Sequence, residues 1–322
     1  MEEPRWRLLA LPPLPQDLLE VLFGDPRLEV VTPSERTQAA VEDLLPSVDL
    51  VVGDWTRQLK VTDPGPRVCF VQQPSVGVDG IDVDACARAG VPVANCAGAN
   101  ATSVAEWCLS ATFALLRKTV EAEAAVRRGE WPQTSLGARE LAGQRVGVIG
   151  MGAIGRLLTT QYTALGCEVT YWSRSEHADA PVPYAPLDEL LAGSEIVVLV
   201  IALGDLTRGL IDSERLALMK QGALLINGAR GEVVDDAALI GALESGRLAG
   251  AALDAFVTEP LPEDSPLRSA PNLVLSPHMA GSTVEASMRI VGATKANLLR
   301  VIDGQPVHDV VNGVGTEVTR RT

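Results

Sequence analysis

Short runs of β-branched and aliphatic residues alternate with helical patterns through the first hundred residues. The strands predicted from these runs are Trp6–Leu11, Leu28–Val31, Asp49–Val52, Val68–Val71 and Val91–Ala94. Helical periodicity lies between them, over Gln16–Phe23, Glu35–Leu45 and Asp82–Ala89. This alternation predicts a parallel sheet covered by helices.

A long helix is predicted to follow this first series, over Ser103–Arg128. Ser103 and Glu106 have the spacing of a capping box at its start. A second series begins at Arg145, with strands predicted at Val146–Ile149, Val169–Trp172, Ile196–Ile201, Ala223–Ile226, Gly250–Leu253 and Asn272–Leu275. Another long helix, Thr283–Ile302, and a short strand, Val307–Val311, complete the pattern.

The two series predict an α/β protein with two Rossmann-like, doubly wound parallel-sheet domains and a cleft between them. The length of 322 residues also favours two domains. Because ligands bind where such domains meet, we expect the functional site in that cleft.

The loop after the first strand of the second series carries a glycine fingerprint. It reads Gly150-Met151-Gly152-Ala153-Ile154-Gly155, with a β-branched strand before it and a helix pattern after it. In a dinucleotide site the first glycine makes a tight turn and the second lets the backbone approach a pyrophosphate. The third allows close packing of helix and strand, and the helix N-terminus faces the phosphates. The loop therefore predicts a dinucleotide-binding site.

The end of the next strand indicates which dinucleotide is used. An NAD site normally has Asp or Glu there, but this chain has Ser173, Arg174 and Ser175. Arg174 can pair with a 2′-phosphate, and both serines can donate hydrogen bonds to it. The alternative is that Arg174 stacks on adenine while Glu176 or Asp179 reaches the ribose. We expect NADP(H) to be preferred, with NAD(H) possible.

Three reactive side chains follow later strands. Arg230 lies among small residues, where it can bind a ligand carboxylate, or alternatively cap a carbonyl or pair with Asp235 or Asp236. The alternative for Glu259 is a solvated loop carboxylate, and the alternative for His278 is a histidine packed in the core. Taken together they supply a cation for a 2-oxo acid, an acid–base imidazole and a carboxylate that orients it.

Composition narrows the class of protein. A net charge of −14 argues against nucleic acid and anionic membranes as partners. The five cysteines include no C-x-x-C pair and the chain has three histidines, so we expect neither disulfides nor a metal site. We see no signal peptide and no apolar run long enough for a bilayer, and we expect a cytoplasmic protein.

With these motifs the chain resembles the D-isomer-specific 2-hydroxyacid dehydrogenase family, which includes glyoxylate/hydroxypyruvate reductases. By resemblance Arg230 is the substrate-binding arginine, His278 the acid–base residue and Glu259 the carboxylate behind it. Asp254, which follows a predicted strand and by itself reads as a strand-end cap, matches the acid that holds the nicotinamide carboxamide.

The resemblance also implies substrate contacts in the first domain. Val76 and Gly77 match a loop whose backbone N–H groups bind the substrate carboxylate, and Asn100 matches a position that faces the substrate in several relatives. Trp55 and Trp131 are candidate pocket walls, with ordinary packing as the alternative.

The resemblance further implies a discontinuous fold and a homodimer. Residues 1–100 with 285–322 would form a flavodoxin-like substrate domain, and residues 101–284 the dinucleotide-binding domain. Family members pair through the latter and the helix corresponding to Ser103–Arg128.

The function expected is an NAD(P)H-dependent reductase that interconverts a small 2-oxo acid and a D-2-hydroxy acid. Glu259 departs from the glutamine of formate dehydrogenases, and Val76 from the lysine of phosphite dehydrogenases. The alternative is a cofactor-sensing regulatory protein, because the family also includes transcriptional corepressors.

Overall fold

The computed structural model describes residues 5–321. Strands and helices alternate through the first hundred residues. In chain order they are β1 (Trp6–Ala10), α1 (Gln16–Phe23), β2 (Leu28–Val31), α2 (Gln38–Leu44), β3 (Leu50–Val52), β4 (Phe70–Gln72), α3 (Val83–Arg88) and β5 (Val93–Ala94).

The alternation continues to the last long helix. The remaining elements are α4 (Ala101–Arg117), α5 (Thr119–Arg127), β6 (Arg145–Ile149), α6 (Ala153–Ala164), β7 (Glu168–Trp172), α7 (Leu187–Gly193), β8 (Ile196–Leu199), α8 (Ser213–Leu218), β9 (Ala223–Asn227), α9 (Asp236–Glu244), β10 (Leu248–Leu253), β11 (Leu273–Leu275) and α10 (Val284–Ile302). Within residues 5–321, no helix combines the length and apolar character needed to cross a bilayer.

The chain divides into two compact units. One runs as far as Asn100 and resumes at Val284, and the other is Ala101–Thr283. The outer ends of the first predicted domain, residues 1–4 and 322, lie outside the described residues.

The first unit has a parallel sheet of order β2-β1-β3-β4-β5. Its two faces are covered by separate apolar clusters. Phe23 of α1 and Leu298 of α10 pack on one face, and Val41 of α2 and Cys86 of α3 pack on the other. A sheet with helices on both faces is doubly wound.

The second unit has a parallel sheet of order β11-β10-β9-β8-β6-β7. Leu190 of α7 and Leu239 of α9 belong to the core on one face. Leu115 of α4 and Tyr162 of α6 belong to the core on the other. The predicted α/β class, with two doubly wound parallel sheets, is confirmed.

The long, mostly uninterrupted helix predicted over Ser103–Arg128 differs from the structure in detail. The structure has two helices, α4 and α5, separated by Lys118, whose φ of 53° is left-handed. The capping box is also wrong, because α4 begins at Ala101 and Ser103 lies inside it. The Ser103 hydroxyl is buried and lies 2.8 Å from the hydroxyl of Thr283, so it has a tertiary partner.

The predicted strand Val307–Val311 does not form. Val310 makes one isolated antiparallel bridge, to Ala94. The backbone of His308 instead pairs with the Asn297 side chain, donating to Oδ1 at 2.9 Å and accepting from Nδ2 at 3.1 Å. A side chain thus satisfies the backbone groups of His308. On either side of Val310 the backbone bonds to β5 and the residue after it, because the Val311 N–H donates to the Val93 carbonyl oxygen at 2.8 Å and the Asn95 N–H donates to the Asp309 carbonyl oxygen at 3.1 Å.

Candidate active site

The glycine loop begins with a turn that requires a residue without a side chain. Gly150 follows β6 directly and has a φ of +113°, which L-residues rarely adopt. A Cβ on Gly150 would lie 2.6 Å from the carbonyl oxygen of Val200. The backbone after β6 can therefore bend sharply beside the end of β8.

The next two glycines have different surroundings. A Cβ on Gly155 would lie 1.9 Å from the carbonyl oxygen of Gly150, so α6 packs closely against the preceding turn. A Cβ on Gly152 would meet nothing within 4 Å. Gly152 is the N-cap of α6, and no side chain caps the helix. The open approach and the uncapped N–H groups fit the pyrophosphate of a dinucleotide.

The predicted cofactor-selecting residues follow β7. The Ser173 hydroxyl, which is buried, donates to the carbonyl oxygen of Ser175 at 2.6 Å. Arg174 is exposed and makes no hydrogen bond or ion pair with any other described residue. Asp179, an alternative ribose ligand, pairs with Arg156 at 2.9 Å, and this hydrogen bond holds the pKa of its carboxyl below the usual range.

Arg174 also lines a cavity of about 410 Å³. Trp172, Leu187 and Leu206 give part of the wall its apolar character, and Arg215 contributes a second guanidinium. Arg215 Nη1 donates to the Leu210 carbonyl oxygen at 2.8 Å. Sequence reasoning missed Arg215, because an arginine within a helix such as α8 carries no local signal that it lines a cavity.

His278 and Glu259 form a close pair. His278 Nδ1 lies 2.8 Å from Oε1 and 2.9 Å from Oε2 of Glu259. Glu259 Oε1 also accepts the Phe256 N–H at 3.0 Å, so the carboxylate is itself held. Both side chains are partly exposed, at 34% and 24%. The carboxylate fixes the ring orientation and favours the tautomer with a proton on Nδ1.

Asp254 fastens the loop that carries His278. Its buried carboxylate accepts the Met279 N–H on Oδ1 and the Ala280 N–H on Oδ2, each at 2.8 Å. The Ser276 hydroxyl donates to Oδ1 at 2.6 Å. The His278 N–H donates to the Asp254 carbonyl oxygen at 2.7 Å. By itself Asp254 reads as a strand-end cap, and the structure shows that the groups it binds lie in the loop after β11. It has this role in addition to any contact with a cofactor.

Asn227 shapes the turn that carries Arg230. Its buried side chain accepts the Ala229 N–H at 3.0 Å and donates to the Arg230 carbonyl oxygen at 2.9 Å. An asparagine directly after a strand is a recognised turn former, so this signal could have been used. Arg230 Nη1 donates to the Ala229 carbonyl oxygen at 2.9 Å, as expected from the alternative in which Arg230 caps a carbonyl.

The turn of Arg230 packs against the segment that leads to Glu259. A Cβ on Gly231 would lie 2.2 Å from the carbonyl carbon of Phe256. Asp235, the alternative partner of Arg230, caps α9 by accepting the Ala238 N–H at 2.9 Å. The structure thus brings the turn of Arg230 next to the segment that carries the His278–Glu259 pair.

In the first unit the predicted substrate loop lies after β4. Val76 and Gly77 are half-buried, and within residues 5–321 neither N–H has an acceptor. Asn100 is half-buried and directly precedes α4. Trp55 and Trp131 are 36% and 78% exposed, so neither lies in a core.

The cysteines give no sign of redox or metal chemistry. All five are free and buried, and burial raises the pKa of Cys69 and of Cys86 to about 11. Among the described residues, no group of three or more His, Cys, Asp or Glu side chains is placed to hold a metal ion.

A dinucleotide loop followed by an acid–base pair defines a nicotinamide-dependent oxidoreductase. The family model of the D-isomer specific 2-hydroxyacid dehydrogenase NAD binding domain matches residues 109–280. The glyoxylate reductase of Thermofilum pendens is 36% identical over 262 residues, which are 79% of this chain and 77% of that protein. The hydroxypyruvate reductase of Thermotoga maritima is 33% identical over 292 residues, covering 89% and 95%.

A solved structure agrees with these relatives. The glyoxylate reductase of Paecilomyes thermophila superposes with a TM-score of 0.84 at 26% identity, over 96% of this chain and 98% of that one. The chain belongs to the D-isomer specific 2-hydroxyacid dehydrogenase family, and the resemblance drawn from its motifs is confirmed. It is an enzyme of the dehydrogenase and reductase class.

Proposed function

We propose that the enzyme reduces small 2-oxo acids of the glyoxylate and hydroxypyruvate type to D-2-hydroxy acids, reversibly. The observation that carries this proposal is the His278–Glu259 pair, at 2.8 and 2.9 Å, held beside the turn of Arg230. The names of the relatives support the substrate class. When bound, the reduced nicotinamide supplies a hydride to the carbonyl carbon.

His278 supplies the proton. With Nδ1 directed at Glu259, Nε2 is the ring atom that can deliver a proton to the developing alkoxide oxygen. Glu259 stabilises the positive ring before transfer, and Asp254 fixes the loop on which the ring stands. In the reverse direction the same nitrogen accepts the hydroxyl proton.

Arg230 binds the substrate carboxylate and polarises the carbonyl. A guanidinium presents two parallel N–H donors, which match a carboxylate. In the first unit, the amides of Val76 and Gly77 donate to the substrate carboxylate, and Asn100 faces the substrate. These roles are supported by family membership and by the two amides, which have no acceptor among the described residues.

The test is turnover of glyoxylate, hydroxypyruvate and pyruvate by single variants. His278→Ala and Arg230→Ala should each lower kcat/KM by about 10²–10⁴-fold while cofactor binding is retained, because each removes a group used only with the substrate. His308→Ala, whose side chain is exposed, is the matched control. Near-normal turnover by His278→Ala would refute the assignment.

The alternative of a cofactor-sensing regulator has no observation in its favour. The relatives compared are named as reductases. Tight cofactor binding without turnover of any 2-oxo acid in a broad panel would reverse this preference.

We further propose that NADPH is preferred to NADH. Ser173 places no carboxylate at the end of β7, where it would repel a 2′-phosphate, and Arg174 is exposed with no partner among the described residues. Arg174 lines the same cavity as Arg215 and Asp188, and the Asp188 carboxylate is paired with Arg215 at 3.5 Å. The glycine loop Gly150–Gly155, including Met151, Ala153 and Ile154, would hold the pyrophosphate.

Cofactor preference is measured as kcat/KM with each dinucleotide. Arg174→Ala should weaken NADPH binding about 10- to 100-fold through loss of a charge-assisted hydrogen bond and leave NADH binding unchanged. Arg128→Ala removes an exposed arginine at the end of α5 and serves as control. Equal or higher efficiency of the wild type with NADH would refute the proposal.

The oligomer we propose is a homodimer in the cytoplasm. Phe113 of α4, Val120 and Val126 of α5, and Trp131 are exposed apolar side chains that a second subunit could cover. The free cysteines suit a reducing compartment. A monomeric mass by light scattering at micromolar concentration would exclude the dimer.

A further inference from the structure

In the loop after β4, the three successive carbonyl oxygens of Ser75, Val76 and Gly77 each accept a hydrogen bond. The Cys96 N–H donates to the Ser75 carbonyl oxygen at 3.0 Å. Asn95 Nδ2 donates to the Val76 carbonyl oxygen at 2.7 Å, and the Ser75 hydroxyl donates to the Gly77 carbonyl oxygen at 2.7 Å. Each donor comes from a different group, so each of the three peptides is oriented by a hydrogen bond of its own.

Fixing a carbonyl also fixes the N–H of the same peptide. A trans peptide is planar, and its N–H points away from its C=O. The three bonds therefore set the directions of the N–H groups of Val76, Gly77 and Val78. Within residues 5–321, none of these three N–H groups has an acceptor. Consecutive backbone N–H groups of this kind form anion-binding sites.

A buried side chain controls the Ser75 hydroxyl. Gln73 is 1% exposed, and its Nε2 donates to Ser75 Oγ at 2.9 Å and to the Asp54 carbonyl oxygen at 3.3 Å. Because Ser75 Oγ accepts from Gln73, its own proton is directed at the Gly77 carbonyl oxygen. The two hydrogen bonds therefore point the same way: Gln73 donates to Ser75, and Ser75 donates to Gly77.

Within residues 5–321, Asn95 makes one side-chain hydrogen bond, and it goes to this loop. Its Oδ1 is buried and has no hydrogen-bond partner among the described residues. Its Nδ2 donates to the Val76 carbonyl oxygen and to no other group of the described part of the chain. The side chain therefore orients one peptide of the loop and holds nothing else through hydrogen bonds.

We infer that Asn95 and Ser75 are positioning residues, which pre-organise the amides of Val76, Gly77 and Val78 to receive the substrate carboxylate. The inference rests on the proposed function and adds the Val78 amide to its binding groups. Donors that are oriented before the ligand arrives need no reorganisation on binding, which strengthens their effect.

The test measures carboxylate binding and turnover separately. Asn95→Ala and Ser75→Ala should each raise KM for glyoxylate and Kd for oxalate about tenfold, because one fixed peptide becomes free to rotate. Oxalate binding is measured by calorimetry on the protein saturated with NADP⁺. The Kd for NADPH should not change, and kcat should fall less than KM rises.

Asn312→Ala is the matched control. Asn312 is half-buried like Asn95, but its side chain hydrogen-bonds to the backbone of Val91 and Val93 and, within residues 5–321, makes no hydrogen bond to the loop after β4. Unchanged oxalate affinity in both test variants would overturn the inference, as would an equal loss in Asn312→Ala or no oxalate binding by the wild type. If Asn95→Ala fails to fold, Ser75→Ala decides. Absence of wild-type turnover would instead refute the proposed function, and the oxalate series would still decide the inference.

Discussion

Replacing Asp254 by asparagine tests whether one buried carboxylate holds the histidine loop. Oδ1 accepts from Ser276 Oγ and the Met279 N–H, and Oδ2 accepts from the Ala280 N–H. An asparagine of the same shape keeps one acceptor oxygen and turns the other into an NH₂ group. At least one of the three donors then faces the new NH₂ group, and water cannot replace the lost acceptor easily because residue 254 is only 3% exposed.

The magnitude follows from the hydrogen bonds that the substitution removes. A buried N–H without its charged acceptor costs about 1.5–3 kcal/mol, so Asp254→Asn should lower the free energy of unfolding by about 2 kcal/mol. Asp254→Ala leaves two N–H groups and one hydroxyl without their acceptor and should cost at least about 4 kcal/mol. For a unit the size of Ala101–Thr283, 2 kcal/mol corresponds to a fall in Tm of about 4–8 °C.

The turnover of Asp254→Asn should fall together with its free energy of unfolding. His278 lies next to the two amides that Asp254 holds, so a looser loop displaces the ring that transfers the proton. A displacement of about 1 Å can cost about 10²-fold in rate, and we expect kcat to fall at least tenfold. Thermal unfolding, kcat and the Kd for NADPH are measured on the same preparations.

Two variants calibrate the result. Ser276→Ala removes one hydroxyl donor and should cost about 1 kcal/mol. Met279→Ala removes a side chain that is 50% exposed and leaves its amide in place, so it should leave the Tm nearly unchanged. If Asp254→Asn keeps the wild-type Tm and kcat and only weakens cofactor binding, then Asp254 serves the cofactor alone and the anchoring role is refuted.

Two further outcomes follow from other parts of the second unit. Hydrogen bonding from Arg145 lowers the pKa of Glu195 from 4.5 to about 2, so its carboxylate stabilises the folded state above pH 4.5 and loses that effect as the pH falls towards 2. Glu195→Gln should therefore lower the free energy of unfolding by about 1–2 kcal/mol near neutral pH, and urea titrations should show the difference shrinking below pH 4.5; a difference independent of pH would contradict this. Gly155→Ala should destabilise the unit by about 1–3 kcal/mol, because its Cβ would lie 1.9 Å from the Gly150 carbonyl oxygen. Gly152→Ala, whose Cβ meets nothing within 4 Å, should keep the wild-type Tm and weaken NADPH binding; equal Tm losses in the two glycine variants would refute this distinction.

The parts of the fold that could be predicted depend on near neighbours in the chain. Strand β6, the glycine turn and helix α6 form one local unit, and the glycine spacing is set by contacts a few residues apart. The ends of α1 and β2 also agree with the sequence prediction to the residue, because turn-forming residues flank a clear periodicity there.

The failures share a long-range cause. Ser103 has the local signature of a cap, but its hydroxyl meets Thr283, which is 180 residues away. The segment 307–311 has the composition of a strand, yet the backbone of His308 pairs with the side chain of Asn297. Local propensity cannot reveal such partners, since tertiary contacts override it.

In the candidate site, too, features that depend on the residue itself could be predicted from the sequence, and features that depend on distant partners could not. Arg230, Glu259 and His278 could be proposed from the sequence because a guanidinium, a carboxylate and an imidazole each carry their own chemistry. The groups that bind or fasten through the backbone, such as the amides of Val78 and Met279, are chemically the same in every residue except proline. Their importance depends on which carbonyl or carboxylate fixes them, as Asp254 does for the histidine loop, and that is a property of the folded chain alone.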